Sequence, residues 1–221
     1  MRWTLGSSAT NDALTASRKN DLDHATALFA LAAVVAFALV CTAVQFLRSD
    51  LAPANAPLSM YLTGDFGGIV RAVYYMLAVG LIALAWATFR ASDTTHRSEA
   101  PALLFVAAGV ALIPVAATAP LSIDGPHADF ARFIHGVAAQ TTFLCVTVAM
   151  LLQSVRWWRD ASFANGRSAR LILAALAFAA LWVNVLNRQW PRGLVQKALI
   201  VMILIWLGAA AWQAARVLPR R

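Results

Sequence analysis

The stretch from Ala25 to Leu47, ATALFALAAVVAFALVCTAVQFL, decides the fold of this chain. It contains no charged residue, and it is long enough to cross a bilayer, which takes about 20 consecutive apolar residues in a helix. Soluble domains contain about 25% charged residues. In this chain only 13% of residues are charged and 61% are hydrophobic, with a mean hydropathy of +0.67. The sequence therefore predicts an integral membrane protein rather than a soluble helical bundle.

Five more apolar runs follow, separated by short polar segments. They predict an all-α fold, a six-helix transmembrane bundle that forms one domain over residues 25–216. The predicted spans are 25–47, 69–89, 101–119, 130–153, 169–186 and 194–215. Residues 1–24 are polar and lack the apolar segment of a signal peptide, so we expect a loosely ordered N-terminal tail. Residues 217–221 make a short basic C-terminal tail.

The basic residues indicate orientation rather than nucleic-acid binding. The formal net charge is +8, but the Lys and Arg residues flank the spans instead of forming one solvated patch. Two thirds of the 18 Lys and Arg residues lie on the side of the two termini, which predicts that both termini are cytoplasmic. Cys41 and Cys145 lie inside spans at different depths, so no disulfide is expected.

Polar and ionisable residues collect at the outer ends of four spans, whereas the inner ends show fewer of them within the spans. Such residues usually face the bundle interior and mark functional sites. We therefore predict an outward-open polar pocket lined by the second, fourth, fifth and sixth spans. The candidate ligand-binding residues are Arg71, Tyr75, Arg132, His135, Asn184, Asn187, Arg188 and Lys197. The acidic residues expected to pair with them are Asp65, Asp124 and Asp129.

The predicted pocket suits an anionic or amphiphilic ligand such as a lipid headgroup. Its Arg and Lys side chains would bind the anionic part, while Tyr, His and Asn would supply hydrogen bonds. The expected partners are membrane lipids and no nucleic acid, and the oligomeric state is left open. An alternative is purely structural, in which the same charges pair locally and hold the loops on the helix ends.

Two further functions stay open. His135 and Asp124 are candidate catalytic residues of a membrane-embedded lipid-active hydrolase, and with His127 they offer ligand types that zinc accepts. Their spacing fits no compact metal motif, so no cofactor is expected. A small-solute transporter is the third possibility, although no inverted repeat is detectable.

Several short motifs of this chain resemble those of a known family. They are Leu58-Ser59-x-Tyr61, Asp124, His135 and Gln196-Lys197, and they resemble the domain-of-unknown-function 998 family of small bacterial and archaeal integral membrane proteins. The resemblance extends over residues 25–216. It implies a six-span protein of the bacterial cytoplasmic (inner) membrane and leaves the activity open. Lys197 stands where the family pattern has Arg, and lysine is a point charge without the bidentate fork of arginine.

Overall fold

The computed structural model describes residues 6–122, 125–187 and 189–218, with side chains from Asn20 onward apart from that of Ser122. Over these residues the fold is all-α, and six helices are long and apolar enough to cross a membrane. The helices are α1 Gly6–Leu47, α2 Gly67–Ala91, α3 Glu99–Thr118, α4 Ala128–Trp158, α5 Arg167–Leu186 and α6 Arg192–Val217. The prediction of a multi-pass six-helix membrane protein is confirmed.

The six helices form a closed ring in chain order. Each helix packs against the next one, α6 packs back against α1, and α2 also contacts α6 across the bundle. Connections between consecutive helices make them antiparallel neighbours. We call the end with the α1–α2, α3–α4 and α5–α6 connections the distal end. The end with the other two connections, the start of α1 and the end of α6 is the terminal end.

Small residues allow α2 to approach both of its neighbours closely. A Cβ atom on Gly80 would lie 2.6 Å from the Cβ of Ala33 in α1. A Cβ atom on Gly109 of α3 would lie 2.6 Å from the carbonyl oxygen of Ala78 in α2. In a membrane, helices associate through van der Waals packing, because lipid tails are as apolar as the side chains. Glycine and alanine at these positions therefore set the spacing of α1, α2 and α3.

The helices are longer than the apolar runs that predicted them. Residues 6–24, expected to be loosely ordered, continue α1, and α4 extends past residue 153 to Trp158. Hydropathy marks only the part of a helix that lies in lipid, whereas helix growth adds one hydrogen bond per residue and continues into water. Hydropathy therefore predicts the membrane-crossing part of each helix but not the residues at which the helix itself begins and ends.

The extended helices bring charged residues into the terminal end of the bundle. Asp23 of α1 is only 3% exposed. Its carboxylate accepts hydrogen bonds from Trp86 Nε1 at 2.7 Å and from Arg90 Nε at 2.8 Å, both of α2. Asp23 and Arg90 lie just outside the predicted spans 25–47 and 69–89, and they are nevertheless part of the packed bundle. The buried carboxylate is compatible with the interior because it is paired and hydrogen-bonded.

An aromatic stack occupies the centre of the terminal end. Trp157 is fully buried; its ring lies 4.0 Å from the ring of Phe163 at an interplanar angle of 6°, and 6.2 Å from the ring of Trp206 at 10°. Its Nε1 donates to Ser92 Oγ at 2.9 Å. The guanidinium of the buried Arg170 lies 5.5 Å from the same ring and donates to the Phe163 carbonyl. Side chains from the α2–α3 connection, the α4–α5 connection, α5 and α6 thus meet around the Trp157 indole.

Candidate functional site

The α1–α2 connection lies across the distal end and is fixed to the start of α6. It contains a five-residue 3-10 helix, Leu58–Leu62, three of whose side chains are buried. The backbone N–H of Leu194 donates to the Ala54 carbonyl at 2.9 Å. The backbone N–H of Leu58 donates to Gln196 Oε1 at 2.8 Å. The connection is therefore part of the folded bundle.

Arg48 holds the same connection together from the end of α1. Its side chain is buried, and Nε and Nη2 donate to the two carboxylate oxygens of Asp50 at 2.7 Å each. Its Nη1 donates to the backbone carbonyls of Thr63 and Asp65, at 2.5 Å and 3.1 Å. A bidentate pair with additional carbonyl acceptors is the arrangement for which the guanidinium fork is suited. Sequence reasoning did not place Arg48 in the site.

We expect the Arg48–Asp50 pair to make the free energy of unfolding depend on pH in the acid range. The hydrogen bonds from Arg48 lower the pKa of the Asp50 carboxyl below its ordinary value of about 3.9. A lowered folded-state pKa gives stability that is fully present above the unfolded-state pKa and is lost as the pH falls through the folded-state pKa. Wild-type protein should therefore unfold at a slightly higher temperature than the Asp50→Asn variant at pH 7.

The difference should be small because Asp50 is exposed, and it should vanish in strong acid. Thermal unfolding of both proteins in detergent, measured from pH 7 downward, checks this. A difference that stays constant through the acid range would contradict the assignment.

A cavity lies in the middle of the bundle, mainly lined by apolar side chains. Its volume is about 660 Å³ when the space at its open side is included. Residues of α1, α2, α3, α4 and α6 all contribute to its wall. Four lining side chains carry a polar atom: Ser59, Tyr74, Thr142 and Gln196. The Thr142 hydroxyl donates to the Ala138 carbonyl of its own helix, at 2.9 Å. The cavity is therefore suited to an apolar molecule.

The fifth helix does not contribute to the lining of the cavity. No residue of α5 lines it, although α5 packs against both α4 and α6. Leu181 is the last buried residue of α5, and the following turn exposes Trp182, Val185 and Leu186. The cavity wall nearest α5 is therefore made by residues of α4 and α6, and α5 presents the apolar side chains of its last turn to the outside.

A second space, which we call the distal cleft, lies beneath the α1–α2 connection. It is lined by Arg48, Leu51, Ser59, Met60, Thr63, Ala119 and His135. Its lining is more polar than that of the central cavity, since it includes a guanidinium, two hydroxyls and an imidazole. Ser59 lines both spaces, so the central cavity and the distal cleft are neighbours.

His135 is the predicted site residue that lies in the distal cleft. Its ring lies close to the backbone of Val115 in α3. Its Nδ1 atom is buried and has no hydrogen-bond partner among the described residues. A buried polar atom without a partner is uncommon in folded proteins and indicates a place where a ligand or water binds.

Three other predicted residues make contacts that hold the fold. Arg71 Nη1 donates to the Leu62 carbonyl at 2.8 Å and so fixes the 3-10 helix to α2. The Asn187 side chain accepts from the backbone N–H of Gln189 at 2.8 Å, within its own turn. Lys197 contacts the α1–α2 connection. These contacts fit the structural alternative considered from the sequence, and a role in ligand binding stays a prediction.

The remaining predicted residues that the structure describes do not line the distal cleft. Arg132 and Asp129 form an exposed pair with each other, one turn apart on α4. Tyr75 is 38% exposed, while its neighbour Tyr74 is buried and lines the central cavity. Asn184 is half-buried, Asp65 and His127 are exposed, and Asp124 and Arg188 lie outside the described residues.

The catalytic and metal alternatives depend on one of those undescribed residues. Within the described part of the chain, no group of three or more His, Cys, Asp or Glu residues could hold a metal ion. Asp124, the proposed catalytic partner of His135, is not among the described residues. A hydrolase role, a bound zinc ion and solute transport therefore stay predictions.

Sequence reasoning missed Arg48, Ser59 and Thr63, which line the distal cleft with His135. The signal for Ser59 was present, since it belongs to the Leu58-Ser59-x-Tyr61 motif. No signal in the sequence distinguished Arg48 from the other basic residues that flank spans.

Comparisons with known proteins identify a family and no closer relative. No curated protein matches this chain, and no solved structure matches it. One family model matches residues 31–213, a range that begins inside α1, ends inside α6 and includes the distal cleft. The chain therefore belongs to the family described as proteins of unknown function, DUF998, as its motifs indicated.

Proposed function

We propose that this protein binds an amphiphilic membrane ligand, a lipid or a lipid-like molecule, with its apolar part in the central cavity and its polar part in the distal cleft. The observation that carries the proposal is that Ser59 lines both spaces. An apolar compartment and a polar compartment therefore adjoin inside one bundle. A molecule that occupies both must itself have an apolar part and a polar part.

The lining of the central cavity supports the apolar half of the proposal. It is mainly apolar with four polar side chains among the residues around it, which is the composition typical of small-molecule sites. Side chains around an empty apolar space lose dispersion contacts that an occupant restores. We place the entry route for an apolar chain between the distal parts of α4 and α6, because α5 lines no part of the cavity and exposes its last turn.

The polar half of the proposal rests on His135 and Ser59. The guanidinium of Arg48 already binds Asp50 and two backbone carbonyls, so its charge is matched within the protein. The buried Nδ1 of His135 has no such partner among the described residues. Hydrogen bonds from the ligand headgroup to His135 and Ser59, rather than a free cation, would therefore recognise the polar part.

The proposal includes an orientation in the membrane. Most Lys and Arg residues of the described part of the chain lie at the terminal end, and such residues are enriched in short cytoplasmic segments. We place the terminal end and both chain termini in the cytoplasm of a bacterial cell, and the distal cleft at the outer leaflet of the cytoplasmic membrane. The ligand would then be taken from the outer leaflet.

A cavity-filling substitution tests the proposed function. Ala139 lines the cavity, and the Ala139→Phe variant should place a ring in the space that the ligand needs. The probe is a photoreactive fatty acid with a mid-chain diazirine, added to the purified protein in bilayer nanodiscs. We expect labelling of the cavity-lining segments of α4 and α6 to fall at least about tenfold, which corresponds to about 1.4 kcal/mol of lost affinity.

A nearby residue of the same helix provides the matched control. Val137 is exposed and does not line the cavity, so Val137→Phe adds a ring on the outside of α4 and should leave cavity labelling unchanged. His135→Leu, tested with the same probe, should reduce labelling without lowering the unfolding temperature. Equal labelling of the wild type and Ala139→Phe, or labelling confined to lipid-facing positions, would overturn the proposal.

A further inference from the structure

A third space lies on the outside of the bundle, in a groove between α1 and α6. Its volume is about 550 Å³ when the space at its open side is included, and most of its lining is apolar. Val201 and Ile205 on its α6 side are more than half exposed. Both helices are membrane-spanning, so the groove faces lipid in the distal half of the bilayer.

The charged and amide side chains of this groove lie at its distal end. Lys197 is near the start of α6, and Gln45 is near the end of α1. Lys197 Nζ donates to the Pro53 carbonyl at 2.6 Å and lies 5.2 Å from the centre of the Tyr61 ring. It forms no ion pair with any carboxylate of the described residues. The groove therefore ends at an ammonium group that lacks a counter-ion within that part of the chain.

We infer that this groove binds a phospholipid of the distal leaflet, with the phosphate at Lys197 and one acyl chain along the groove. Charge complementarity points to an anionic headgroup, since a cation near the hydrocarbon boundary is costly unless it is paired. A phosphate also provides several acceptors for the Lys197 donors that Pro53 leaves unused.

The length of the groove fits one leaflet. Its lining extends from Gln45 to Phe37 on α1 and from Lys197 to Ile205 on α6. At 1.5 Å per residue, each side is about 12 Å long. Half of a hydrocarbon core about 30 Å thick is about 15 Å. An acyl chain that starts at Lys197 can therefore follow the groove through most of its own leaflet.

The groove is distinct from the central cavity, although the two are neighbours. Phe37, Ile200 and Leu204 line both spaces, so these side chains lie between them. Ser59 and His135, which define the proposed amphiphile site, do not line the groove. The inference consequently stands independently of the proposed function.

Native mass spectrometry of the delipidated full chain tests the inference. The probes are phosphatidylglycerol and diacylglycerol with the same acyl chains, which differ in the phosphate-bearing headgroup. Lys197→Gln should weaken the first binding step of phosphatidylglycerol about tenfold, by about 1.4 kcal/mol, and leave diacylglycerol binding unchanged. Lys197→Arg should retain the binding of phosphatidylglycerol. Val201→Trp, which fills the groove and keeps Lys197, should weaken the binding of both lipids.

The control for general electrostatics is Arg192→Gln. Arg192 is an exposed cation on the first turn of the same helix, and it does not line the groove. Its replacement should change phosphatidylglycerol binding less than twofold. If Arg192→Gln weakens binding as much as Lys197→Gln, or if Val201→Trp binds phosphatidylglycerol like the wild type, the site is overturned. Ala139→Phe, which blocks the central cavity, should not affect this binding.

Discussion

The Trp157→Ala variant should lose about 3–5 kcal/mol of unfolding free energy, the range found when a large buried aromatic residue is replaced by alanine. The indole is fully buried and stacks on Phe163 and Trp206, and such aromatic pairs add about 0.5–1.5 kcal/mol each beyond their area. The variant also leaves Ser92 Oγ without the hydrogen bond from Nε1, and Arg170 without the ring beneath its guanidinium.

The adjacent tryptophan is the control for this experiment. Trp158 is 39% exposed and contacts only the guanidinium of Arg167, 5.0 Å from its ring, among the ring contacts of the described residues. An exposed cation–π contact contributes about 0.5–1 kcal/mol, so Trp158→Ala should cost much less. Unfolding of both variants by sodium dodecyl sulfate in mixed micelles measures the difference. Equal losses would show that the stack does not stabilise the terminal end.

The Gly193→Ala variant should be destabilised by about 1–3 kcal/mol, the usual cost of forcing an extra methyl group into packed structure. A Cβ atom at this position would lie 2.6–2.8 Å from the carbonyl oxygens of Ala56, Ala54 and Pro53. These are backbone atoms, so the α1–α2 connection must move as a whole. Movement would also strain the hydrogen bond between Leu194 and Ala54.

Whether a glycine-to-alanine change stabilises or destabilises the protein shows whether helix propensity or packing dominates at that position. Alanine is favoured over glycine inside a helix by about 0.5–1 kcal/mol. Gly136 in α4 is exposed, and its added Cβ would meet no atom within 4 Å, so Gly136→Ala should be stabilising by that amount. Thermal unfolding in one detergent compares the two variants. A Gly193→Ala protein as stable as Gly136→Ala would refute the close approach of α6 to the connection.

The faces of the spans were harder to predict than their positions. Arg71, Tyr74, Tyr75 and Ala78 share one side of α2 by helical spacing. The structure nevertheless buries Tyr74 and Ala78 and exposes Tyr75. Positions i+3 and i+4 lie about 100° apart around a helix with 3.6 residues per turn, and the neighbouring helices determine which of them faces inward. In this bundle α1, α3 and α6 surround α2 and favour Tyr74.

The residues of the candidate site were likewise predicted only in part from the sequence. His135 was predicted from its residue type and its position near a span end, and it lies in the distal cleft. Arg48 and Ser59 come from a connection whose path depends on Gln196 and Leu194, far along the chain. Such long-range contacts leave no periodic pattern for sequence reasoning to detect.

The amino-acid sequence by itself determined that the chain crosses a membrane six times, because runs of apolar residues are stable in hydrocarbon only as helices with internal backbone hydrogen bonds. Its motifs also indicated the family. Only the tertiary structure decided which polar groups are used inside the fold and which face open space. Arg71 and Lys197 bind backbone carbonyls of the α1–α2 connection, whereas His135 Nδ1 has no partner among the described residues. Hydrogen bonds are short and directional, so their partners are fixed by packing in three dimensions rather than by order along the chain.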